Sequence, residues 1–293
     1  MIPASLVEGV GGGENQSPRC AALLKLQGRT AVVTGAAGGI GRGIALALAR
    51  RGCALALLDI DDAGLAITAA QLAAFGVRVS TYHLDVSDQS AIAAFPAQLT
   101  AEYPGVDVLV NNAGVALGGT FEDVSEADFE WLFGINFWGV VRMTRALLPL
   151  LHQSDDARIV NISSLFGLIA PPGQTAYAAS KFAVRAFSES LRHELAATPI
   201  GVTVVHPGGV ATSIAKSSRM PQHLSAEDAA ERRQFFDSFL TMPPETAGEI
   251  IVRGVENRKA RILVGADAKR AALLERLMPV SYWNVLGAKR SRK

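Results

Sequence analysis

Short runs of continuously apolar residues alternate along the chain with longer stretches in which apolar side chains recur every three or four positions. The short runs read as strands at Thr30–Thr34, Ala54–Asp59, Arg78–Leu84, Val106–Asn111, Arg158–Ser163, Gly201–His206 and Arg261–Val264. The periodic stretches predict helices over about 39–52, 61–75, 88–102, 125–152, 175–198 and 244–257, because an i, i+3, i+4 spacing gathers apolar groups on one helical face. A strand that is apolar throughout is expected to be covered on both faces. Strand–helix–strand repetition with right-handed crossovers then gives a doubly wound α/β fold, a parallel sheet with helices on both sides. Ligands in such folds bind beyond the carboxyl ends of the strands. The residues that follow each strand are therefore the candidates for chemistry.

Composition adds limits to this picture. A chain of 293 residues that is 49% hydrophobic and 19% charged can bury a sizeable core. A net charge of +1 gives no sign of a nucleic-acid binder. Positive charge gathers only at Lys289, Arg290, Arg292 and Lys293, a solvated tail or a contact for an anionic surface. Two cysteines, Cys20 and Cys53, make no disulfide framework and fit a reducing, cytoplasmic compartment. No apolar run reaches the ~18 residues of a membrane span. Residues 1–27 lack the apolar core of a signal peptide and read as a flexible extension. Residues 28–265 read as one domain, and 266–293 as a C-terminal extension.

The first strand runs into Thr34-Gly35-Ala36-Ala37-Gly38-Gly39-Ile40-Gly41 and then a helix. A turn poor in Cβ atoms lets backbone N–H groups approach a pyrophosphate, and the positive end of the helix stabilises its charge. Asp59 closes the second strand, where a carboxylate accepts hydrogen bonds from ribose hydroxyls and repels a 2′-phosphate. No Arg or Lys lies within 36–41, so NAD is favoured over NADP. Capping of the next helix is the other reading of Asp59, although Asp61 and Asp62 can also serve. Asp85, followed by Val86, either meets an adenine amino group or caps a helix. Asn111-Asn112-Ala113-Gly114 brings backbone close beneath an adenine ring or pins neighbouring strands. Pro207-Gly208-Gly209-Val210-Ala211-Thr212 follows the sixth strand, where its backbone suits a carboxamide and Thr212 adds a hydroxyl.

Tyr177 and Lys181 are one helical turn apart and share a face. A nearby ammonium favours the phenolate, so Lys181 is expected to lower the Tyr177 pKa towards working pH. Such a phenol exchanges a proton with a carbonyl or hydroxyl oxygen. Ser164, thirteen residues before Tyr177 at the end of the fifth strand, can hold that oxygen. Asn136, a polar residue inside the 125–152 helix, reads as a kink linked to Lys181 or as a satisfied core amide. The segment 213–243 carries Met220, Leu224, Phe235, Phe236, Phe239, Leu240 and Met242. With Phe166, Leu168, Pro171 and Pro172 it suggests an apolar substrate wall.

Together these residues resemble the short-chain dehydrogenase/reductase family over about residues 28–265. Thr34 to Gly41 match its Thr-Gly-x-x-x-Gly-x-Gly turn, and 111–114 match its Asn-Asn-Ala-Gly segment. The resemblance implies a seven-stranded Rossmann-like sheet of order 3-2-1-4-5-6-7 and a catalytic tetrad of Asn136, Ser164, Tyr177 and Lys181. It implies cofactor contacts from Gly35, Gly38, Gly39, Ile40, Gly41, Asp59, Ile60, Asp85, Val86, Asn112, Ala113 and Gly114. Tyr177, Lys181, Pro207, Gly208, Val210 and Thr212 complete that set, and Ser164, Phe166, Gln174 and Tyr177 line the substrate pocket. No metal ligand set is expected. The implied activity is hydride transfer between NAD and an apolar or bulky secondary alcohol or ketone. An NADP-preferring carbonyl reductase and a non-catalytic dinucleotide sensor are the alternatives. Family members pair as dimers or tetramers through the helices that correspond to 125–152 and 175–198. Residues 266–293 lie outside the motifs; their apolar positions suit the substrate cleft, a partner subunit or a membrane surface.

Overall fold

The structure, a computed structural model, describes residues 23–287. Most of the N-terminal extension, Cys20 and the basic tail therefore lie outside the described residues. Seven strands form one sheet: β1 Thr30–Thr34, β2 Ala54–Asp59, β3 Val79–His83, β4 Val108–Asn111, β5 Ala157–Ile162, β6 Ile200–Pro207 and β7 Arg261–Val264. Their order is β3-β2-β1-β4-β5-β6-β7 and every pairing is parallel. The helices are α1 Gly39–Ala49, α2 Asp62–Leu72, α3 Gln89–Glu102, α4 Glu126–Phe133, α5 Gly139–Leu151, α6 Thr175–Glu194, α7 Ala226–Asp237, α8 Pro244–Glu256, α9 Ala266–Leu277 and α10 Tyr282–Gly287.

The central strands β1, β4 and β5 are buried on both faces, as expected, whereas the edge strands β3 and β7 are partly exposed. Ala31 and Val33 of β1 join one core with Leu55 and Leu57 of β2. Val32, between them, joins the opposite core with Ala56 and Leu58. This is the two-residue alternation of strand side chains. Helices α1 and α8 cover the first face, and α3 and α5 the second. α1 and α8 touch backbone to backbone, because a Cβ on Gly43 would lie 2.2 Å from the Pro244 carbonyl oxygen.

The structure corrects several expectations. The helix expected over 125–152 is continuous from Glu126 to Leu151, but α4 and α5 are joined by a π-helical turn, Gly134–Trp138, at the irregularity expected around Asn136. The lid region contains a helix of its own, α7, started by Ser225 capping Asp228. The fold also extends past both expected boundaries. Leu24 and Leu26, inside the expected flexible extension, are buried, and the Leu24 N–H donates to the Glu256 carbonyl at 2.9 Å. On the C-terminal side Ala268 and Ala271 of α9 are buried. Among the described residues no helix is long and apolar enough to cross a membrane.

Candidate active site

The carboxyl ends of the strands converge as the topology requires. At the end of β1, Gly35 and Gly39 take φ of +66° and +52°, values that only glycine adopts readily. Helix α1 starts at Gly38 without any side-chain cap, which leaves its first-turn N–H groups without intrahelical acceptors. A Cβ on Gly38 would meet nothing within 4 Å, so open space lies before these donors. They could hold a phosphate there. Thr34 and Asn112 brace the turn from β4. Thr34 Oγ1 accepts from the N–H groups of Asn112 (2.9 Å) and Ala113 (3.0 Å), and Asn112 Nδ2 donates to the Thr34 and Gly35 carbonyls, both at 3.0 Å. Thr212, from the loop after β6, reaches the same turn: its Cγ2 lies 3.0 Å from the Cβ position of Gly39.

Asp59 does not cap a helix. Asp61 caps α2 by accepting from Gly64 N–H, while Asp59 accepts from Ala37 N–H at 2.9 Å and from Ile60 N–H at 2.8 Å. Its carboxylate is thereby held beside the glycine-rich turn. Asp85 is likewise released from capping, since Asp88 caps α3 and Asp85 bonds the backbone and hydroxyl of Ser87. Val86 and Val210 are buried, so only their backbones remain for a ligand, whereas Ile60 is exposed. Arg42, just beyond the motif, is engaged with Thr68 Oγ1 at 2.9 Å and with the Ala37 carbonyl. No signal in the sequence predicted that brace.

Asn136 sits in the π-helical turn and is fully buried. Its Oδ1 accepts from Val115 N–H at 2.8 Å, and its Nδ2 donates to the Val115 carbonyl at 3.0 Å and to Ser180 Oγ at 3.2 Å. A Cβ on Gly114 would be 3.1 Å from Asn136 Oδ1 and 3.4 Å from Lys181 Nζ, so the three groups adjoin. Lys181 Nζ donates to the Ile162 carbonyl at 3.2 Å and lies 5.8 Å from the Tyr177 ring centroid. The Ser164 hydroxyl neighbours the Tyr177 phenol and favours its ionised form. Ser163 faces elsewhere, its hydroxyl donating to the Lys181 carbonyl at 2.8 Å.

The electrostatics depart from expectation. Lys181 was expected to lower the Tyr177 pKa. Instead burial pushes the Tyr177 phenol up, only partly opposed by the Ser164 hydroxyl. Burial also pulls Lys181 down to about 8. Both groups lose hydration, which disfavours their charged forms, and this outweighs the attraction of an ammonium that points at the Ile162 carbonyl.

Phe166 meets the Tyr177 ring edge-on, with centroids 6.1 Å apart, and Gln174 is buried at the start of α6. Beyond them a cavity of about 330 Å³ opens among Gly118, Gly173, Met220, Phe235 and Phe236. Arg232 and Glu231 also line it, so the wall is not wholly apolar. Arg219, another candidate for holding an anion, is paired with Asp128 at 3.0 Å and stacked on Trp131.

Three supporting residues were missed in the sequence. His206 is fully buried and donates from Nδ1 to the Ser164 carbonyl at 2.9 Å; burial lowers its pKa to about 4. A lone polar residue at the end of an apolar strand was its only signal. Asp267 of α9 accepts from Gly209 N–H at 2.8 Å and so anchors the turn after β6. Tyr282 of α10 accepts from Ala170 N–H at 3.0 Å. The C-terminal segment is thus tied to two loops of the site.

Comparison with known proteins agrees with this arrangement. The sequence model for short chain dehydrogenases matches residues 29–223. The oxidoreductase SadH of Mycobacterium tuberculosis is 43% identical over 269 residues, which cover 91% of this chain and 96% of SadH. A short-chain dehydrogenase/reductase from Burkholderia phymatum, solved in complex with NAD, superposes with a TM-score of 0.81 at 30% identity, covering 87% of this chain and 95% of that one. A short-chain dehydrogenase from Streptomyces avermitilis superposes with a TM-score of 0.76 at 30% identity, covering 91% and 100%. With a family model over residues 29–223 and relatives along most of its length, this chain belongs to the short-chain dehydrogenase/reductase family of oxidoreductases.

Proposed function

We propose that the protein transfers a hydride between NAD(H) and a secondary alcohol or ketone with an apolar or bulky body. The observation that carries this reading is the meeting of Ser164, Tyr177, Lys181 and Asn136 at the ends of β5 and β4, beside the turn that suits a dinucleotide. The bound nicotinamide supplies the hydride acceptor or donor. The uncapped start of α1, the open space at Gly38 and the Asp59 carboxylate fit the pyrophosphate and the ribose hydroxyls. The NAD-bound relative from Burkholderia phymatum supports the same cofactor.

In ketone reduction the protonated Tyr177 hydroxyl would give its proton to the carbonyl oxygen, and a nicotinamide held at the glycine-rich turn would supply the hydride that completes the alcohol. Ser164 steadies that oxygen by a hydrogen bond. The raised Tyr177 pKa keeps the phenol protonated at neutral pH, so the group is ready as an acid. Alcohol oxidation needs the phenolate, which positive charge from Lys181 stabilises. Lys181 can also donate to ribose hydroxyls, and Asn136 holds the backbone beside it. The cavity at Met220 and Phe236 takes the substrate's body. Exposed Trp138 and Phe182, near α5 and on α6, support pairing of subunits through these helices. The free buried thiol of Cys53, pushed up to about 12 by burial, fits a reducing cytoplasm.

The test is a panel of ketones and alcohols, large and small, with NAD(H) and NADP(H) in parallel, on wild type and Tyr177→Phe. We expect turnover of bulky apolar substrates with NAD preferred. Removing the acid should slow turnover by at least the ~10² to 10⁴ of general acid–base catalysis, with cofactor binding retained. Activity confined to small charged substrates would overturn the substrate class. Unimpaired Tyr177→Phe turnover would remove the proton-transfer role. Equal inactivity of both proteins on the whole panel would favour a dinucleotide sensor.

A further inference from the structure

At the opposite end of the sheet, a cleft of about 710 Å³ opens around the starts of β5 and β6. Arg158, the second residue of β5, projects into it and is only 9% exposed. Its Nε is buried with no hydrogen-bond partner, and among the described residues no carboxylate lies within ion-pair distance of it. A buried charge without a partner is unusual, since losing hydration is costly unless another group compensates. The chain nonetheless makes room for it. Gly201, at the start of β6, lies directly beneath the guanidinium: a Cβ there would be 1.8 Å from Arg158 Nη1.

Further cations surround this one. Lys25, Arg29, Arg192 and Arg258 line the same cleft, against the carboxylates of Asp155 and Asp156. Arg29 is paired with Asp107 and Asp155, and Arg258 with Asp156. Arg192 bonds only backbone carbonyls in the described residues, Val202 at 3.0 Å and Ala260 at 2.9 Å. Five cations thus face two carboxylates in the lining, and among the described residues neither Arg158 nor Arg192 is ion-paired with a carboxylate. Arg258 also holds a φ of +53° just after α8, the one non-glycine residue with positive φ among those described. This left-handed residue ends α8, with Arg258 N–H donating to the Val255 carbonyl at 2.9 Å and Lys259 N–H to the Gly254 carbonyl at 3.0 Å.

We propose that this cleft is a second ligand site, separate from the dinucleotide turn and the Tyr177 site, which takes a small molecule bearing a diphosphate group with Arg158 as its central contact. Guanidinium forks match phosphoryl oxygens in pairs. A diphosphate offers two adjacent tetrahedral groups and enough charge to balance the surplus of cations. Leu195, Pro199 and Ile200 on one wall provide apolar contact for the organic remainder. The volume falls within the range of small-molecule sites.

The probe is inorganic pyrophosphate, titrated calorimetrically at constant ionic strength into the full-length protein already saturated with NAD, which fills the glycine-rich turn, with orthophosphate as the comparison. One saturable pyrophosphate site is expected, with orthophosphate at least tenfold weaker. Arg158→Met should weaken pyrophosphate binding at least tenfold, while Arg185→Met, which removes a partly buried α6 cation that pairs with Glu189 and does not line the cleft, should leave it unchanged. Gly201→Ala, which displaces the guanidinium without removing its charge, should weaken it as well, and stands in should Arg158→Met misfold. Absence of saturable binding overturns the site. Equal loss in Arg185→Met and Arg158→Met overturns it too, because diffuse positive charge would then suffice. Equal affinity for orthophosphate overturns the diphosphate class. Each readout is independent of turnover, so failure here leaves the catalytic reading untouched.

Discussion

At the carboxyl end of β5 the Ile162 carbonyl accepts a hydrogen bond from Lys181, a cation only 4% exposed. Near the amino end of the same strand lies Arg158, 9% exposed, with an Nε that bonds to nothing. Burial acts on both in the same direction and lowers both pKa values. The outcomes differ because of the side chains. An ammonium can give up its proton, and Lys181 falls to about 8, within reach of physiological pH. A guanidinium starts so high that it stays charged under the same pressure. One end of the strand thus carries an adjustable charge, suited to chemistry in which protons move. The other carries a fixed charge, suited to holding an anion.

The largest test of this contrast is turnover. Lys181→Met should reduce ketone reduction by a hundredfold or more, while Arg158→Met, with the nearly isosteric side chain, should keep it within about twofold. Steady-state kinetics on the two variants with a substrate from the panel decides it. A comparable loss in both would mean that the two ends of the strand are coupled and the contrast is false.

The second test is the pH dependence of stability. Lys181 has a folded pKa of about 8 against an ordinary value of 10.5. Below pH 8 both folded and unfolded chains bind the proton, and its burial costs the folded state in full. Between pH 8 and 10.5 the unfolded chain still binds a proton that the folded chain has released, so stability rises with pH. The rise for this group is about 3 kcal/mol at 1.36 kcal/mol for each pH unit. Wild type should therefore gain on Lys181→Met across this window in urea unfolding, most of the gain being complete by pH 10.5. Taking the difference between the two proteins cancels other groups that titrate there, Cys53 among them. A pH-independent difference would show that Lys181 is hydrated in the folded chain.

Much of the site could be read from the sequence because its signals are local. The glycine-rich turn, the Tyr177–Lys181 spacing and the strand-end position of Ser164 each depend on a few consecutive residues and on the order of the elements. Parallel pairing followed from the strand–helix alternation, and the sheet order from the family resemblance. What was not legible depends on contacts distant in sequence. Asp267 reaches Gly209, 58 positions away, and no periodicity predicts that bond. An irregularity at Asn136 was legible from a polar residue inside an apolar helix, but its π-helical form was not, because that depends on which carbonyl each N–H reaches. The direction of the Tyr177 pKa was misjudged for a related reason. The spacing reported an ammonium nearby, but not the depth at which both groups are buried or the carbonyl that the ammonium faces. Arg158 was invisible as a charge of interest because its sequence position shows only the start of an apolar strand. Its lack of a partner is a property of the packed fold.

The smallest effect is also the one that most directly probes the fixed charge. Without an anion, Arg158 contributes a buried charge whose desolvation the nearby Asp156 carboxylate opposes only in part. Replacing a buried ion by an apolar side chain of similar volume is often stabilising, by ~1 to 4 kcal/mol. Met keeps most of the aliphatic packing of the arginine stem, and the guanidinium lies in an open cleft, so the gain should fall at the low end, about 1 kcal/mol. Arg158→Met is therefore expected to raise the urea midpoint in a phosphate-free buffer without changing the slope. In saturating pyrophosphate the order should reverse, because binding to the folded wild type adds stability that the variant cannot gain. A variant less stable than wild type in both buffers would mean that Arg158 already has a satisfactory partner within the protein. The contrast between the two ends of β5 would then reduce to a difference in side-chain chemistry alone.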